Sequence, residues 1–329
     1  MQYGTIVHYI LERFFGEYTK EEYLSLEEDK FQKIVCAYLA EYAVKYFGEE
    51  QLESNSFTYR LKTILDNVMY LMKHIMEELS QSEFFVADCE LKIGEDIPSY
   101  TIVLPDGHKI AVCGSVDRVD IMQRADITYL RIIDYKTGTK QFKLSDILYG
   151  INLQMLLYLH SIEASGGDKY GEIVPAGILY MPATVPYISS DSLKSIDKLP
   201  DELNKKLKMN GLLLKDTEII HGMDKTDVAT YIPVKIKAGE PVSSTSLATL
   251  AEFGKIFKKV DMLIAEMGKN IYNGNIEAKP LKGGHDSCEY CPYDSVCAYR
   301  QSNPITCFSV DNKTVIEEIT NEINGKEEE

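Results

Sequence analysis

The chain has 329 residues, 45% of them hydrophobic, and a formal net charge of −16 at pH 7, from 35 Lys and Arg against 51 Asp and Glu. That length allows one large or two modest domains with an ordinary core, and the acidity counts against a free-standing DNA binder that supplies its own phosphate contacts. No apolar run reaches the roughly eighteen residues of a membrane span, no basic-then-apolar leader precedes the first helix, and no repeat period is found.

Residues 4–16 read as a helix carrying His8, with Glu12 one turn on. Apolar spacings of three and four predict helices over 26–48 (Phe31, Val35, Tyr38, Leu39) and 57–81 (Leu61, Ile64, Leu65, Val68, Leu71, Met72), with Cys36 in the core of the first. Alternation from Phe84 to Ile93 predicts a strand. Pro105-Asp106-Gly107 is a turn, so Tyr100–Leu104 and Lys109–Met122 form a hairpin, and Thr128–Lys136 is the next strand. Cys89 and Cys113, in strand-like runs, read as small core residues. Ser145 is the N-cap of a long helix to Ala164, on which Gln154 and Tyr158 lie one turn apart and face one side. Glu172–Met181 is a strand, Ser189–Ser244 is irregular and polar, Leu247–Ile271 returns to helical period, and the tail after Asp311 is a short helix or disordered. The order predicts an α/β fold, a mixed sheet flanked by helices.

The chemistry concentrates in Gly114-Ser115-Val116-Asp117-Arg118-Val119-Asp120 and Ile132-Ile133-Asp134-Tyr135-Lys136-Thr137-Gly138. Strand side chains alternate, so Asp134 and Lys136 point the same way. Two carboxylates can hold a hard divalent cation through oxygen while the lysine orients or activates the attacking water, a set suited to phosphodiester hydrolysis. The charges emerge where an apolar strand leaves the core, and the irregular alternation of Val116 and Val119 points to a bend or bulge near Asp117. Basic residues cluster at Lys136, Lys140 and Lys143, at Lys205, Lys206 and Lys208, and at Lys255, Lys258 and Lys259; the last two groups read equally well as solvated faces.

These motifs resemble the PD-(D/E)xK nuclease superfamily, in its RecB-like branch. That branch reads Gly-x-x-Asp-Arg-x-Asp, then Asp-Tyr-Lys-Thr-Gly, then a helix with Gln-x-x-x-Tyr, matched here by Gln154 and Tyr158, and it places a histidine on an N-terminal helix, matched by Gly4-Thr5-Ile6-Val7-His8. The resemblance implies a restriction-endonuclease-like core and a metal-dependent DNA exonuclease. His8, Asp117, Asp134 and the Tyr135 carbonyl would bind Mg²⁺ or Mn²⁺. Lys136 would be catalytic, and Gln154 and Tyr158 would support it and the DNA backbone. It makes Glu90 an accessory acid, although a strand-surface glutamate accounts for that residue equally well.

Cys288, Cys291 and Cys297 form C-x2-C-x5-C on a turn-rich segment, a spacing that lets three thiolates converge on one metal or cluster. Here the chain looks like AddB-type helicase–nuclease subunits, in which a fourth cysteine before the nuclease domain closes a 4Fe–4S staple. That cysteine would lie upstream of Gly4, so the chain is expected to be an excised nuclease domain whose cluster is incomplete or absent. Cys307 is a weaker candidate for the fourth ligand. The resemblance also implies DNA, an AddA-like companion subunit and the rest of the same chain as partners, with no membrane. The seven cysteines suit a reducing cytoplasm. The expected organisation is 1–83 as N-terminal helices including that of His8, 84–188 as nuclease core, 189–245 as an inserted lobe, 246–310 as a helix and Cys-rich segment, and 311–329 as an acidic tail, together forming one nuclease domain. Two other classes share features: a catalytically silent DNA-guiding or iron–sulfur structural module, against which intact Asp117, Asp134 and Lys136 argue, and a RecB-like exonuclease of CRISPR adaptation, usually shorter and without a segment like Ser189–Ser244.

Overall fold

The computed structural model describes residues 3–138, 141–186, 188, 199–243, 245–293, 295–297 and 304–327. Lys140 of the first basic cluster, residues 189–198 and Ser244 of the polar segment, Arg300, and Glu328 and Glu329 of the tail lie outside them.

Five helices come first: α1 (Tyr3–Glu17), α2 (Lys20–Leu24), α3 (Glu28–Phe47), α4 (Glu49–Leu52) and α5 (Asn55–Ser80). Each long one buries a stripe at helical spacing, Ile6, Val7, Ile10, Leu11 and Phe14 on α1, and Val68, Leu71, Met72, Ile75 and Leu79 on α5. Strands β1 (Phe85–Ile93), β2 (Tyr100–Val103), β3 (Lys109–Val112), β4 (Gly114–Arg124) and β5 (Ile127–Lys136) follow, then a 3-10 turn at Leu144–Tyr149, α6 (Gln154–Ser165), α7 (Gly167–Tyr170) and β6 (Glu172–Pro182). The chain continues through α8 (Leu199–Leu207), β7 (Asn210–Leu214), α9 (Thr217–Met223), β8 (Lys235–Lys237), β9 (Glu240–Val242), β10 (Leu247–Ala248), α10 (Leu250–Tyr272), β11 (Leu281–Gly283), β12 (Ile305–Cys307) and α11 (Asn312–Glu327).

The main sheet has six strands in the order β1-β4-β5-β6-β7-β10. It is mixed: β5 pairs parallel to β6 and β7 parallel to β10, while the other neighbours are antiparallel. On β5 every residue from Leu130 to Tyr135 is buried, so helices cover both faces of the sheet there. The expected mixed sheet flanked by helices is therefore present. The polar segment expected as an inserted lobe contributes β7 to this sheet, between β6 and β10.

Several local expectations are corrected. The Lys109–Met122 run is two strands: β3 pairs with β2 in a separate hairpin, and after Cys113 the chain enters the main sheet as β4. Cys113 is exposed and Cys89 and Cys36 are only half-buried, not full core residues. Ser145 does not cap a long helix. It is buried in the 3-10 turn, which ends at left-handed Gly150 (φ 68°), and left-handed Asn152 (φ 54°) precedes α6, whose first residue is Gln154. The helix expected from Leu247 starts at Leu250, because Leu247–Ala248 pairs with β7 and Thr249 forms a capping box with Glu252. The bulge expected on β4 lies in its neighbour, between Val86 and Asp88 of β1. The tail is the helix α11, which buries Val315, Ile319 and Ile323 and ties Glu322 to Lys259 of α10 at 2.5 Å.

Candidate active site

Strands β1, β4 and β5 and helix α1 meet at one cleft. On α1, Val7 is buried and His8 beside it is half-buried and faces the strands. Its Nδ1 lies 2.8 Å from Glu90 Oε1, and its Nε2 lies 3.6 Å from Asp117 Oδ2. Glu90 sits between the Cys89–Arg118 and Leu91–Val116 pairs of β1 and β4. Its backbone is left-handed, φ 51°, a conformation that costs a non-glycine residue on the order of 1–3 kcal/mol and collects at functional sites. Ser115 Oγ donates to Glu90 Oε2 at 3.0 Å and fixes the carboxylate from its other side.

Asp117 Oδ2 accepts the Tyr135 N–H at 2.9 Å, which locks the carboxylate of β4 to the backbone of β5. Asp134 is 6% exposed. Lys136 Nζ stands 2.5 Å from Asp134 Oδ2 and 5.7 Å from the centre of the Tyr180 ring. This ion pair supplies the partner of the buried Asp134 Oδ2.

The electrostatics follow from these contacts. Burial first, and then the Asp134 carboxylate, push the Asp117 carboxyl up to about 6. The hydrogen bond to Glu90 raises His8 above its ordinary value, and the same bond holds Glu90 below the usual carboxylate range. Among the described residues, His8, Glu90 and Asp117 form the group of three whose ligand atoms all lie within 4.8 Å of one another. The geometry thus brings Glu90 into direct contact with His8, and turns Asp134 toward Lys136.

The surrounding cleft, of about 910 Å³, is lined by His8, Glu90, Ser115, Tyr135 and Lys136 among others. Gln154 and Tyr158 do not line it. Gln154 is exposed at the start of α6. Tyr158 packs over Gly114: a Cβ there would come within 2.2 Å of the Tyr158 hydroxyl. The glycine of the Gly-x-x-Asp motif is what lets α6 lie against the start of β4.

Beneath the site is a buried ionic network that the sequence reading missed. Arg118 donates to Asp120 through Nε and Nη2, both at 2.7 Å, to Glu78 at 3.0 Å and to the Tyr135 hydroxyl at 3.3 Å. Arg131 donates to Glu78 at 2.6 Å and to Asp120 at 3.0 Å. All four charged side chains are fully buried. Although burial opposes it, the two guanidinium groups hold Asp120 below its ordinary range. Arg118 and Asp120 were visible as motif letters, but α5 gives no signal that Glu78 is their partner.

The cysteine segment is a pair of turns. The Cys288 N–H donates to Asp286 at 2.8 Å, Cys291 N–H to the Cys288 carbonyl at 3.2 Å, and Cys297 N–H to the Tyr293 carbonyl at 2.8 Å. Cys288, Cys291 and Cys297 do not form a ligand group as close as that of His8. Cys307 is buried on β12. No helix among the described residues is long and apolar enough to cross a membrane.

A model of the PD-(D/E)XK nuclease superfamily matches residues 1–298. Curated relatives include two proteins named as subunits of an ATP-dependent helicase/deoxyribonuclease. That of Thermoanaerobacter sp. (strain X514) is 38% identical over 73% of this chain and 21% of its own length. That of Alkaliphilus oremlandii (strain OhILAs) is 32% identical over 97% of this chain and 29% of its own length. The chain therefore spans less than a third of the length of these relatives. The fold, the contacts that join His8 to Glu90 and Asp117 and Asp134 to Lys136, and the extent of the family match lead to one conclusion: the chain belongs to the PD-(D/E)XK nuclease superfamily.

Proposed function

We propose that this chain is the metal-dependent deoxyribonuclease module of a helicase–nuclease subunit, an exonuclease that hydrolyses DNA phosphodiesters in the processing of double-strand breaks for recombination. The observation that carries this reading is the pair Asp117 and Asp134 on adjacent strands, with Lys136 against Asp134, beside a cleft that His8, Glu90 and Lys136 line. The donor set fits a divalent cation. His8, Glu90 and Asp117 bring ligand atoms within 4.8 Å of one another, and the Asp117 carboxyl, raised to about 6 by burial and then by Asp134, is a carboxylate that a cation would favour in its charged form. His8, Asp117, Asp134 and the Tyr135 carbonyl would hold Mg²⁺ or Mn²⁺, with Glu90 a further oxygen donor within reach. When bound, the ion would polarise the phosphate and lower the pKa of a water.

The protein's own groups do the rest. Glu90, held by Ser115, orients the His8 ring through Nδ1 and leaves Nε2 facing Asp117. The contact with Asp134 holds the Lys136 ammonium in place, so that it can orient the water and offset charge developing on the phosphorus-bound oxygens. Gln154 and Tyr158 stand outside the cleft, and their role in this reading is to position β4 and the DNA backbone.

In the longer protein typified by the relatives, Cys288, Cys291 and Cys297 would anchor a 4Fe–4S cluster with a fourth thiolate from elsewhere. The partners would be DNA, an AddA-like companion subunit and the helicase part of the same chain, in the cytoplasm. The names of the relatives support this assignment over CRISPR adaptation. The test is DNA cleavage over a titration of Mg²⁺ and Mn²⁺. Wild type should cleave from an end, and Asp134→Ala and Lys136→Ala should abolish cleavage while keeping the fold. Cleavage by Asp134→Ala at the wild-type rate in saturating metal, or none by wild type, overturns the reading, the second result in favour of a silent module.

A further inference from the structure

One wall of the cleft is aromatic. Tyr9 from α1 and Tyr42 and Tyr46 from α3 line the same cavity as His8, Glu90 and Lys136. Their ring centres lie 4.5 Å apart for Tyr42 and Tyr46, 5.1 Å for Tyr9 and Tyr42, and 6.4 Å for Tyr9 and Tyr46. The three are unequally covered: Tyr42 is 6% exposed, whereas Tyr46 is 54% exposed. Tyr42 and Tyr46 are neighbours at i and i+4 of α3, and the Tyr9 hydroxyl is fixed by Glu41 at 2.6 Å. Lys45 Nζ lies 5.7 Å from the Tyr9 ring centre and 5.3 Å from that of Tyr46. The result is an open ring held on a rigid backing of rings, with a cation beside it.

Packing explains Tyr42 but leaves the half-exposed Tyr46 without a reason. We propose that Tyr46, backed by Tyr42 and Tyr9, is a stacking platform for an unpaired base of the DNA strand whose phosphate reaches His8, Asp117 and Lys136. The proposal rests on the nuclease reading and adds a binding subsite to it. A base inside a duplex already has both faces stacked, so the ring favours an unpaired base. Stacking also suits this chain's charge. At −16 overall, with Glu12 and Glu90 set against Lys92 and Lys136 in the same lining, the cleft has no excess of cations for phosphate contacts, whereas base–aromatic stacking tolerates an acidic surface and any base sequence.

The test uses single-stranded oligonucleotides with 2-aminopurine at successive positions, whose fluorescence falls on stacking. The chain has no tryptophan to obscure it. Binding is read in EDTA, without cleavage. One position should be quenched. Tyr46→Ala should weaken binding about tenfold and lose that quench, and Tyr46→Phe should keep both. An abasic nucleotide at the quenched position should weaken wild type by the same factor, and should add nothing to the loss in Tyr46→Ala. Absence of quenching at every position, wild-type affinity in Tyr46→Ala, or losses that multiply would each overturn the platform. Because the readout needs no metal, failure of metal-dependent cleavage bears on the nuclease reading alone.

Discussion

Tyr158 occupies the space that a side chain at Gly114 would need, with its hydroxyl, Cζ and Cε1 all within 2.7 Å of the position of a Cβ there. Position 114 therefore sets the seat of α6 against β4, three residues before Asp117. Gly114→Ala should destabilise the chain by about 1–3 kcal/mol, the usual cost of overpacking. Adding Tyr158→Ala should recover part of the loss, because the two sites share one space and their effects are not additive. Thermal denaturation of the two single variants and the double variant checks this; simple additivity would show that the contact is not what constrains position 114.

The Asp117 carboxyl links stability, pH and metal. Its folded value of about 6 lies above its ordinary 3.8, so the protonated form favours folding. That contribution is complete below about 3.8 and is lost as pH rises through about 6, a change on the order of 2–3 kcal/mol in metal-free protein. Asp117→Asn should flatten this part of the pH–stability curve relative to wild type. Mn²⁺ at pH 7 should raise the melting temperature of wild type and leave that of Asp117→Asn nearly unchanged.

The histidine predicts which ion serves best. Carboxylate and carbonyl oxygens suit both Mg²⁺ and Mn²⁺, while an imidazole ligand suits transition metals. Wild type should therefore reach half-maximal cleavage at a lower concentration of Mn²⁺ than of Mg²⁺. His8→Asp should narrow or reverse that order. An unchanged ratio in the variant would place His8 outside the coordination shell.

The buried network gives a prediction about folding alone. Arg131→Met removes one of two guanidinium groups facing Glu78 and Asp120, all fully buried. Breaking a buried pair from one side typically costs about 3–5 kcal/mol, because a charge is left uncompensated. Urea denaturation should show a loss of that size, while Glu83→Gln, whose partners Arg124 and Lys225 are exposed, should lose less than about 1 kcal/mol.

The sequence made the strand chemistry legible because two-residue alternation is a local property. Asp134 and Lys136 needed only their own strand to be placed on one side. His8 and Glu90 were a different matter. Their contact depends on a left-handed residue within a strand, which no propensity anticipates, so Glu90 remained balanced between an accessory acid and a surface glutamate. The strand beginning at Lys109 was read as continuous because alternation carries on through Cys113, although the pairing partner changes there. Ser145 had the chemistry of an N-cap, but the positive φ angles at Gly150 and Asn152 delay the helix to Gln154. Glu78 was invisible because its partners lie 40 and more positions away in sequence.

On β5 the core and the site are interleaved. Arg131 holds the buried network, Asp134 and Lys136 carry the chemistry, and Tyr135 serves both through its hydroxyl to Arg118 and its N–H to Asp117. A shift of one residue would turn every one of these side chains to the opposite face. This strand cannot accept a change of length. A single-residue deletion between Arg131 and Asp134 would put one part of the strand out of phase with the other, and no substitution elsewhere could restore both.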